Sequence, residues 1–168
     1  TVLNAVLDTS RVVGHISPIR NDMLLDIDVN NLDLSFIKSY LTSFANDMAG
    51  IARGKVYVGG KLDAIEIWGD AYVQDAMLSI DFLKSKFFFE DSVTIKKNAF
   101  IFKDIEITDE LGNKGMVNGL VTHNKFNEFV FNIDIGVNNL LAINTTDLKS
   151  PENYGNLYAT GYADIVGD

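Results

Sequence analysis

The chain has 168 residues and a formal net charge of −9, with 14 Lys and Arg against 23 Asp and Glu. This charge repels phosphate backbones, and no stretch gathers basic side chains, which disfavours nucleic acid as a partner. It contains no cysteine, which excludes disulfides, Cys-ligated zinc and thiol nucleophiles. Its hydrophobic fraction of 47% is that of a folded protein.

Both ends of the sequence resemble cuts within a longer chain. Residue 1 is Thr, and the last ten residues, ATGYADIVGD, still follow a strand-like pattern. We therefore expect residues 1–168 to form a single segment of a longer protein. No run of about 18 apolar residues is present, so the sequence predicts no membrane span.

The first 33 residues predict strands. VLNAVLDTSRVVGHI carries apolar positions suited to strands, and in MLLDIDV the side chains of Leu25, Ile27 and Val29 share one face. Pro18 and Pro151 stand where strands are expected to break.

The period then changes from two to about four. In LDLSFIKSYLTSFANDMAG, the residues Phe36, Tyr40, Phe44 and Met48 recur at every fourth position. This spacing predicts one amphipathic helix at about 34–49. Asp33 or Ser35 is expected to cap its start, and Gly50 its end.

Alternation of period two returns after Gly50 and continues through NEFVFNIDIGVNNLLAIN at 127–144. Glu90-Asp91-Ser92 reads as a turn, and a change of parity at Lys103-Asp104 predicts a bulge. Residues 110–113 and 123–125 read as hairpin loops. A glycine followed closely by a strand recurs at 14, 54, 69, 119 and 161, which indicates bends or close backbone approach in a long, curved sheet.

Motifs that would carry catalysis or metal binding are weak. Asp26, Asp28 and Asn30 have the spacing of an EF-hand, but Asn31 and Ile37 stand where that loop requires Gly and Glu. His15 and His123 form no paired motif, and no phosphate-binding glycine motif is present. We predict no enzymatic activity, no metal and no cofactor.

The strongest signal is apolar. Residues 82–102 contain six Phe, which indicate either an ordinary core or a surface that holds something. A single sheet with one short helix has too few layers to cover a long apolar face, so we expect a groove. The predicted groove-lining residues are Val56, Val58, Ile65, Ile67, Phe87, Phe89, Phe100, Phe102, Phe129, Phe131, Ile133 and Ile135.

Residues 50–168 resemble the repeated strand region of TamB-type proteins, of the AsmA-like group in Gram-negative bacteria and closest to the Bacteroidetes version. The resemblance is carried by GNKGMVNGLVTHNKFNEFVFNIDIGVNNLLAINTTDLKSPENYGNLYATGYADI at 112–165, and residues 1–49 share it more loosely. It implies a periplasmic sheet bent into an apolar trough, called a β-taco, in a protein anchored to the inner membrane. It further implies a role in outer-membrane biogenesis, by conducting phospholipid acyl chains or, with an outer-membrane barrel partner, by helping to insert membrane proteins.

Three functional hypotheses follow. The first is a non-enzymatic segment whose groove holds acyl chains, with the helix capping one end of the trough. The second is a chaperone-like scaffold that docks client β-strands at a sheet edge. The third, a small enzyme or carbohydrate-binding domain, is disfavoured because Trp68 is the single tryptophan and no catalytic motif is present.

Overall fold

A computed structural model describes residues 2–7, 10–40, 45–80, 83–125, 127–145 and 155–167. Over these residues the chain forms one antiparallel sheet of ten strands, in which strand order follows chain order. The strands are β1 Val2–Leu7, β2 Ser10–Ser17, β3 Asp22–Asp33, β4 Ala45–Lys61, β5 Ala64–Ile80, β6 Ser85–Lys96, β7 Ala99–Asp109, β8 Lys114–Asn124, β9 Asn127–Thr145 and β10 Gly155–Gly167. The predicted mainly β class is confirmed.

The predicted helix at 34–49 is wrong in type and length. A 3₁₀ helix spans Leu34–Tyr40, residues 41–44 lie outside the described part of the chain, and β4 already begins at Ala45. A spacing of four residues is also a multiple of two, so it fits a strand as well as a helix. Asp33 does cap the start, because its Oδ1 accepts the N–H of Ser35 at 2.8 Å. Gly50 is not a helix end but lies inside β4.

The predicted turn at Glu90-Asp91-Ser92 is also wrong, because β6 runs without a break through these residues. Against β7 the register shifts between Phe89 and Val93, where β7 contributes one residue more than β6. The bulge predicted at Lys103-Asp104 is confirmed, since the register against β8 shifts between Phe102 and Ile105. Asp104 has a φ of 52°, which is typical of a bulge. The two register shifts therefore come from one bulge in β7, which keeps Phe102 and Ile105 on the same face.

The predicted chain breaks agree with the structure where it describes them. Pro18 lies in the turn between β2 and β3, and residues 110–113 connect β7 to β8. The loop predicted at 123–125 is shorter than expected, because β8 continues through Asn124. Pro151 lies outside the described residues.

Register places one continuous row of apolar residues across the sheet. From β2 to β10, directly opposed partners in this row are Val12, Ile27, Val56, Gly69, Ile95, Phe100, Val121, Phe131 and Gly167. The adjacent row, on the other face, is polar from β2 to β6, with Arg11, Asp28, Lys55, Asp70 and Thr94. Because side chains alternate along a strand, the sheet has an apolar face and an opposite face. We refer to the opposite face as the polar face, although its row continues with Ile101 and Leu120 in β7 and β8.

Glycine lets neighbouring strands approach closely at the apolar row. A Cβ atom built on Gly69 would lie 2.1 Å from the backbone oxygen of Lys55, and Gly69 has a φ of +143°. No side chain fits there without moving the backbone of β4. The close approach predicted from the recurrent glycines is confirmed at this position.

Candidate apolar binding face

All the predicted groove-lining residues lie on the apolar face. In β4 and β5, Val58 is directly opposed to Ile67, and Ile65 is opposed to Gly60. In β7 and β9, the row through Gly119 joins Phe102 to Ile133, and the row through Val117 joins Ile105 to Ile135. Phe129 lies on the same face because it is two residues from Phe131 in β9. Phe87 and Phe89 lie on it because of their register with β7.

The apolar face is covered at one end. Around the start of β6, a buried cluster joins the sheet to the 3₁₀ helix and to the far part of β9. Its buried members are Leu34, Met48, Ala52, Val73, Ala76, Phe87, Val93, Ile105, Ile107 and Leu140. We refer to this part of the face as the covered end.

The opposite part of the face, the open end, is only partly covered. Of the predicted groove residues there, Ile65 is 43% exposed, and Val56, Val58, Ile67, Phe129, Phe131 and Ile133 are half-buried. Phe100 and Phe102 are also half-buried, but they pack against the buried cluster of the covered end. At the covered end, the predicted groove residue Phe87 is buried, and Phe89 and Ile135 are half-buried. The structure therefore divides the predicted groove into a buried portion and an accessible portion.

The far part of β9 covers one end of the face because β9 is much longer than β8. Pairing with β8 ends at Val137, and residues 138–145, the β9 extension, continue past the β7–β8 turn. At the end of the extension, the N–H of Asn144 donates to the backbone oxygen of Leu83 at 2.9 Å, just before β6. Leu140 and Leu141 within it are buried, at 4% and 2% exposure.

A buried carboxylate accepts a hydrogen bond from the β9 extension and so holds it in place. Asp109, at the end of β7, is 3% exposed, and its Oδ2 accepts the N–H of Leu141 at 2.7 Å and the side-chain amide of Asn113 at 2.8 Å. Its Oδ1 accepts the backbone N–H groups of Leu111 and Asn113 at 2.8 and 2.9 Å. Four hydrogen bonds thus satisfy a charge that burial alone would make costly.

Burial and hydrogen bonding have opposite effects on the pKa of Asp109. Burial raises the pKa of the carboxyl group, but the hydrogen bonds donated by the Asn113 side chain and by the backbones of Leu141, Asn113 and Leu111 outweigh it. The net result is a pKa below the ordinary value, so Asp109 is ionised near neutral pH.

The two histidines are not brought together. His15 lies in β2 beside Asp22, with Nε2 3.8 Å from Oδ1. His123, in β8, is buried between the rings of Phe100 and Phe129, with centroids 5.4 and 5.8 Å away. Burial lowers the pKa of His123, which favours the neutral imidazole at the open end of the apolar face.

The acids with EF-hand spacing lie in strand β3 rather than in a loop. Asp26 and Asp28 point to the polar face, and Asp26 pairs with Lys55 at 3.2 Å. On the same face, the rings of Tyr57 and Trp68 stack with centroids 5.8 Å apart, and Lys97 lies 5.4 Å from the Trp68 ring. The polar face is therefore organised by cross-strand pairs between charged and aromatic residues.

Sequence reasoning missed Asp109, Leu140 and Leu141. Asp109 precedes Glu-Leu-Gly-Asn, a pattern typical of an Asp side chain that accepts hydrogen bonds from its own turn. Nothing local, however, indicates that the same carboxylate also accepts from a residue in β9.

Comparison with known proteins adds no relative: no family model, no curated protein and no solved structure matches this chain. Among the described residues, no helix is long and apolar enough to cross a membrane.

Proposed function

We propose that this chain is a non-enzymatic segment of a TamB-like periplasmic protein and that its apolar face holds phospholipid acyl chains. In this proposal the sheet is bent into a trough, and the full-length protein, anchored in the inner membrane, serves outer-membrane biogenesis. The observation that carries the proposal is the row of opposed apolar residues, which continues across the sheet from Val12 in β2 to Gly167 in β10.

The physical support is the accessible part of that face. Apolar side chains on a single sheet need a covering partner, and within the described residues the buried cluster covers one end of the face. An acyl chain gains about 0.8 kcal/mol for each CH₂ group that it buries, without any specific polar contact. The open end, with Ile65, Phe131 and Ile133, offers such a surface.

The alternative function, a scaffold that docks client strands, would use the backbone of a sheet edge rather than the side chains of a face. The two functions therefore respond differently to substitutions. A charge on the apolar face weakens lipid binding and leaves strand docking intact.

The proposal is tested by native mass spectrometry of the purified chain, followed by organic extraction and lipid identification. We expect phospholipid or fatty acid at near-stoichiometric amounts, and binding of a fluorescent fatty acid by the delipidated chain. A clean apo protein that also fails to bind the fluorescent fatty acid would contradict the proposal.

Matched variants locate the binding to the correct face. Ile65→Asp places a charge on the apolar face at a side chain 43% exposed, and Leu24→Asp does so on the polar face at one 44% exposed. Because both sites are already partly in water, both variants should fold, which circular dichroism checks. We expect Ile65→Asp alone to weaken fatty-acid binding, and equal binding by the two variants would contradict the face assignment.

A further inference from the structure

One polar side chain interrupts the apolar face at its open end. His123, near the end of β8, is two residues beyond Val121 of the apolar row and therefore lies on the same face. It is 7% exposed, and its ring lies between those of Phe100 and Phe129. A leucine or phenylalanine would fill this position without burying polar nitrogen atoms, so apolar packing alone does not require a histidine here.

The distance from His123 to the covered end suits the length of an acyl chain. Val117 packs against the buried cluster, and the six residues of β8 that separate it from His123 span about 20 Å. One leaflet of a bilayer has a hydrocarbon depth of about 15 Å, half of a core about 30 Å thick. An acyl chain that enters from the open end can therefore lie with its methyl end toward the buried cluster and its polar head beside His123.

The lysines on the β6–β7 side of His123 lie on the polar face. The backbone oxygen of Asn98 accepts the N–H of His123 at 2.9 Å, and the adjacent Lys97 pairs with Glu66 at 2.7 Å. Glu66 belongs to the polar face, since it is opposed to Gly59 next to Val58 of the apolar face. Lys96 follows Ile95 of the apolar row and so also lies on the polar face.

The β8–β9 side contributes one cation and one carboxylate, both on exposed residues. Lys125 follows β8 in the turn, and the Glu128 carboxylate accepts the side-chain amide of Asn124 at 2.8 Å. Burial lowers the pKa of His123, and none of these neighbouring charges contributes to the shift. The imidazole is therefore neutral near neutral pH, and it can gain a charge when an anion comes to lie beside it.

We propose that His123 binds the carboxylate of a free fatty acid whose acyl chain lies on the apolar face. This inference rests on the proposed function, because it assigns the head of a ligand whose tail that function places on this face. A carboxylate is a small head, which suits a group held between two aromatic rings. Phosphate heads are usually bound by Arg or Lys, whereas Lys96 and Lys97 lie on the other face.

This pairing couples fatty-acid binding to the uptake of a proton. An adjacent carboxylate raises the pKa of His123, which burial lowers in the free chain. Between the pKa values of the free and the bound state, binding takes up a proton, so the affinity rises as the pH falls. The fatty-acid carboxyl resembles that of Glu, with a pKa of about 4.3, and so is still ionised at pH 6.5, the ordinary pKa of histidine.

Competition against the fluorescent fatty acid tests the role of the head. Palmitic acid and its methyl ester share one tail and differ in the charge of the head. At pH 6.5 we expect the native chain to bind the acid about tenfold more tightly than the ester, with a preference that weakens as the pH rises.

Two histidine variants locate this preference. His123→Phe keeps an aromatic ring between Phe100 and Phe129, and it should bind the acid and the ester equally. The matched control is His15→Phe, which changes the histidine of the polar face, opposite Leu24, and should keep the native preference. Circular dichroism checks that both variants fold.

NMR titration of the imidazoles measures the contact in the native chain, independently of any variant's folding. The chain has two histidines, so the ring signals of His123 are readily told from those of His15. Palmitic acid should raise the pKa of His123, the methyl ester should not, and the signals of His15 should respond to neither compound. A histidine with a purely structural role would not distinguish the two heads.

The possible results separate this inference from the proposed function. A native chain that binds neither compound contradicts both. A native chain that binds the acid and the ester equally at every pH, or a His123→Phe variant that keeps the native preference, overturns the inference and leaves the acyl-binding face in place. Hexadecyl phosphate carries a tail of the same length, and tighter binding of this compound than of palmitic acid would overturn the choice of a carboxylate.

Discussion

The backbone N–H of Leu141 donates to the Oδ2 atom of Asp109 at 2.7 Å, and this bond joins residues 32 positions apart in the chain. It connects the β9 extension to the end of β7, and the neighbouring Leu140 belongs to the buried cluster at the covered end of the apolar face. The bond therefore helps to hold Leu140 at the covered end.

Replacing Asp109 with Ala should strongly destabilise the fold. The substitution leaves the N–H groups of Leu111, Asn113 and Leu141 without their acceptor, and leaving buried donors unsatisfied costs about 3 kcal/mol in total. The free energy of unfolding in urea measures this loss.

The control for Asp109→Ala is Glu106→Ala in the same strand. The Glu106 carboxylate pairs with Lys114 at 2.7 Å, and both side chains are more than half exposed. Such an exposed ion pair contributes less than about 1 kcal/mol. Equal losses in the two variants would show that the Asp109 hydrogen bonds do not support the fold.

His123 should make the stability of the chain depend on pH near neutrality. Burial lowers the pKa of His123 in the folded state below its ordinary value of 6.5. As the pH falls through 6.5, the unfolded chain binds a proton that the folded chain resists, so stability is lost as the pH decreases toward the folded pKa. His123→Leu should remove this decline in the free energy of unfolding.

An acidic group provides the control for the His123 prediction. The pKa of Asp109 lies below its ordinary value of 3.8, so its contribution is complete above that pH and is lost only in stronger acid. Asp109→Asn should therefore keep the decline that begins near pH 6.5. If His123→Leu keeps that decline as well, the histidine is not its source.

Gly69→Ala should destabilise the sheet by more than the cost of the backbone conformation alone. The new methyl group would lie 2.1 Å from the backbone oxygen of Lys55, which forces β4 and β5 apart. Gly112→Ala is the matched control, because Gly112 also has a positive φ, +83°, but no atom within 4 Å of the new Cβ. We expect about 1 kcal/mol for Gly112→Ala and a clearly larger loss for Gly69→Ala, both by urea unfolding.

Tryptophan fluorescence should distinguish the two faces. Trp68 lies on the polar face, and its neighbour Ile67 lies on the apolar face opposite Val58. Brominated fatty acids should therefore quench the double variant Ile67→Trp/Trp68→Phe more strongly than the native chain. Equal quenching would place the acyl chain elsewhere.

The sheet and its apolar face were predictable because alternation is a local property. Phe129, Phe131 and Ile133 share parity, and once a strand forms they must lie on one face. The bulge at Asp104 was predictable for the same reason, since parity changes there. The register between neighbouring strands then aligns their apolar sides into one surface.

The features that were missed depend on contacts between distant segments or on ambiguous spacing. Met48 follows Phe44 by four residues, which fits period two as well as a helix, and only the structure shows the strand. The pairing of Asp109 with Leu141 depends on β9 being longer than β8, and no local pattern reveals where two strands stop pairing. The periodicity of the sequence therefore could not predict which part of the apolar face stays open.

Strand order that follows chain order makes the hairpin a modular unit in evolution. Removing or duplicating two adjacent strands keeps the antiparallel alternation and keeps every remaining side chain on its face, so such a sheet can change length by whole hairpins. The hydrogen bond from Asn144 to Leu83 is an exception, because it closes a loop around β6, β7 and β8. Those three strands must therefore be inherited together, and the buried cluster that joins Met48 and Val73 to Leu140 ties β4 and β5 to them.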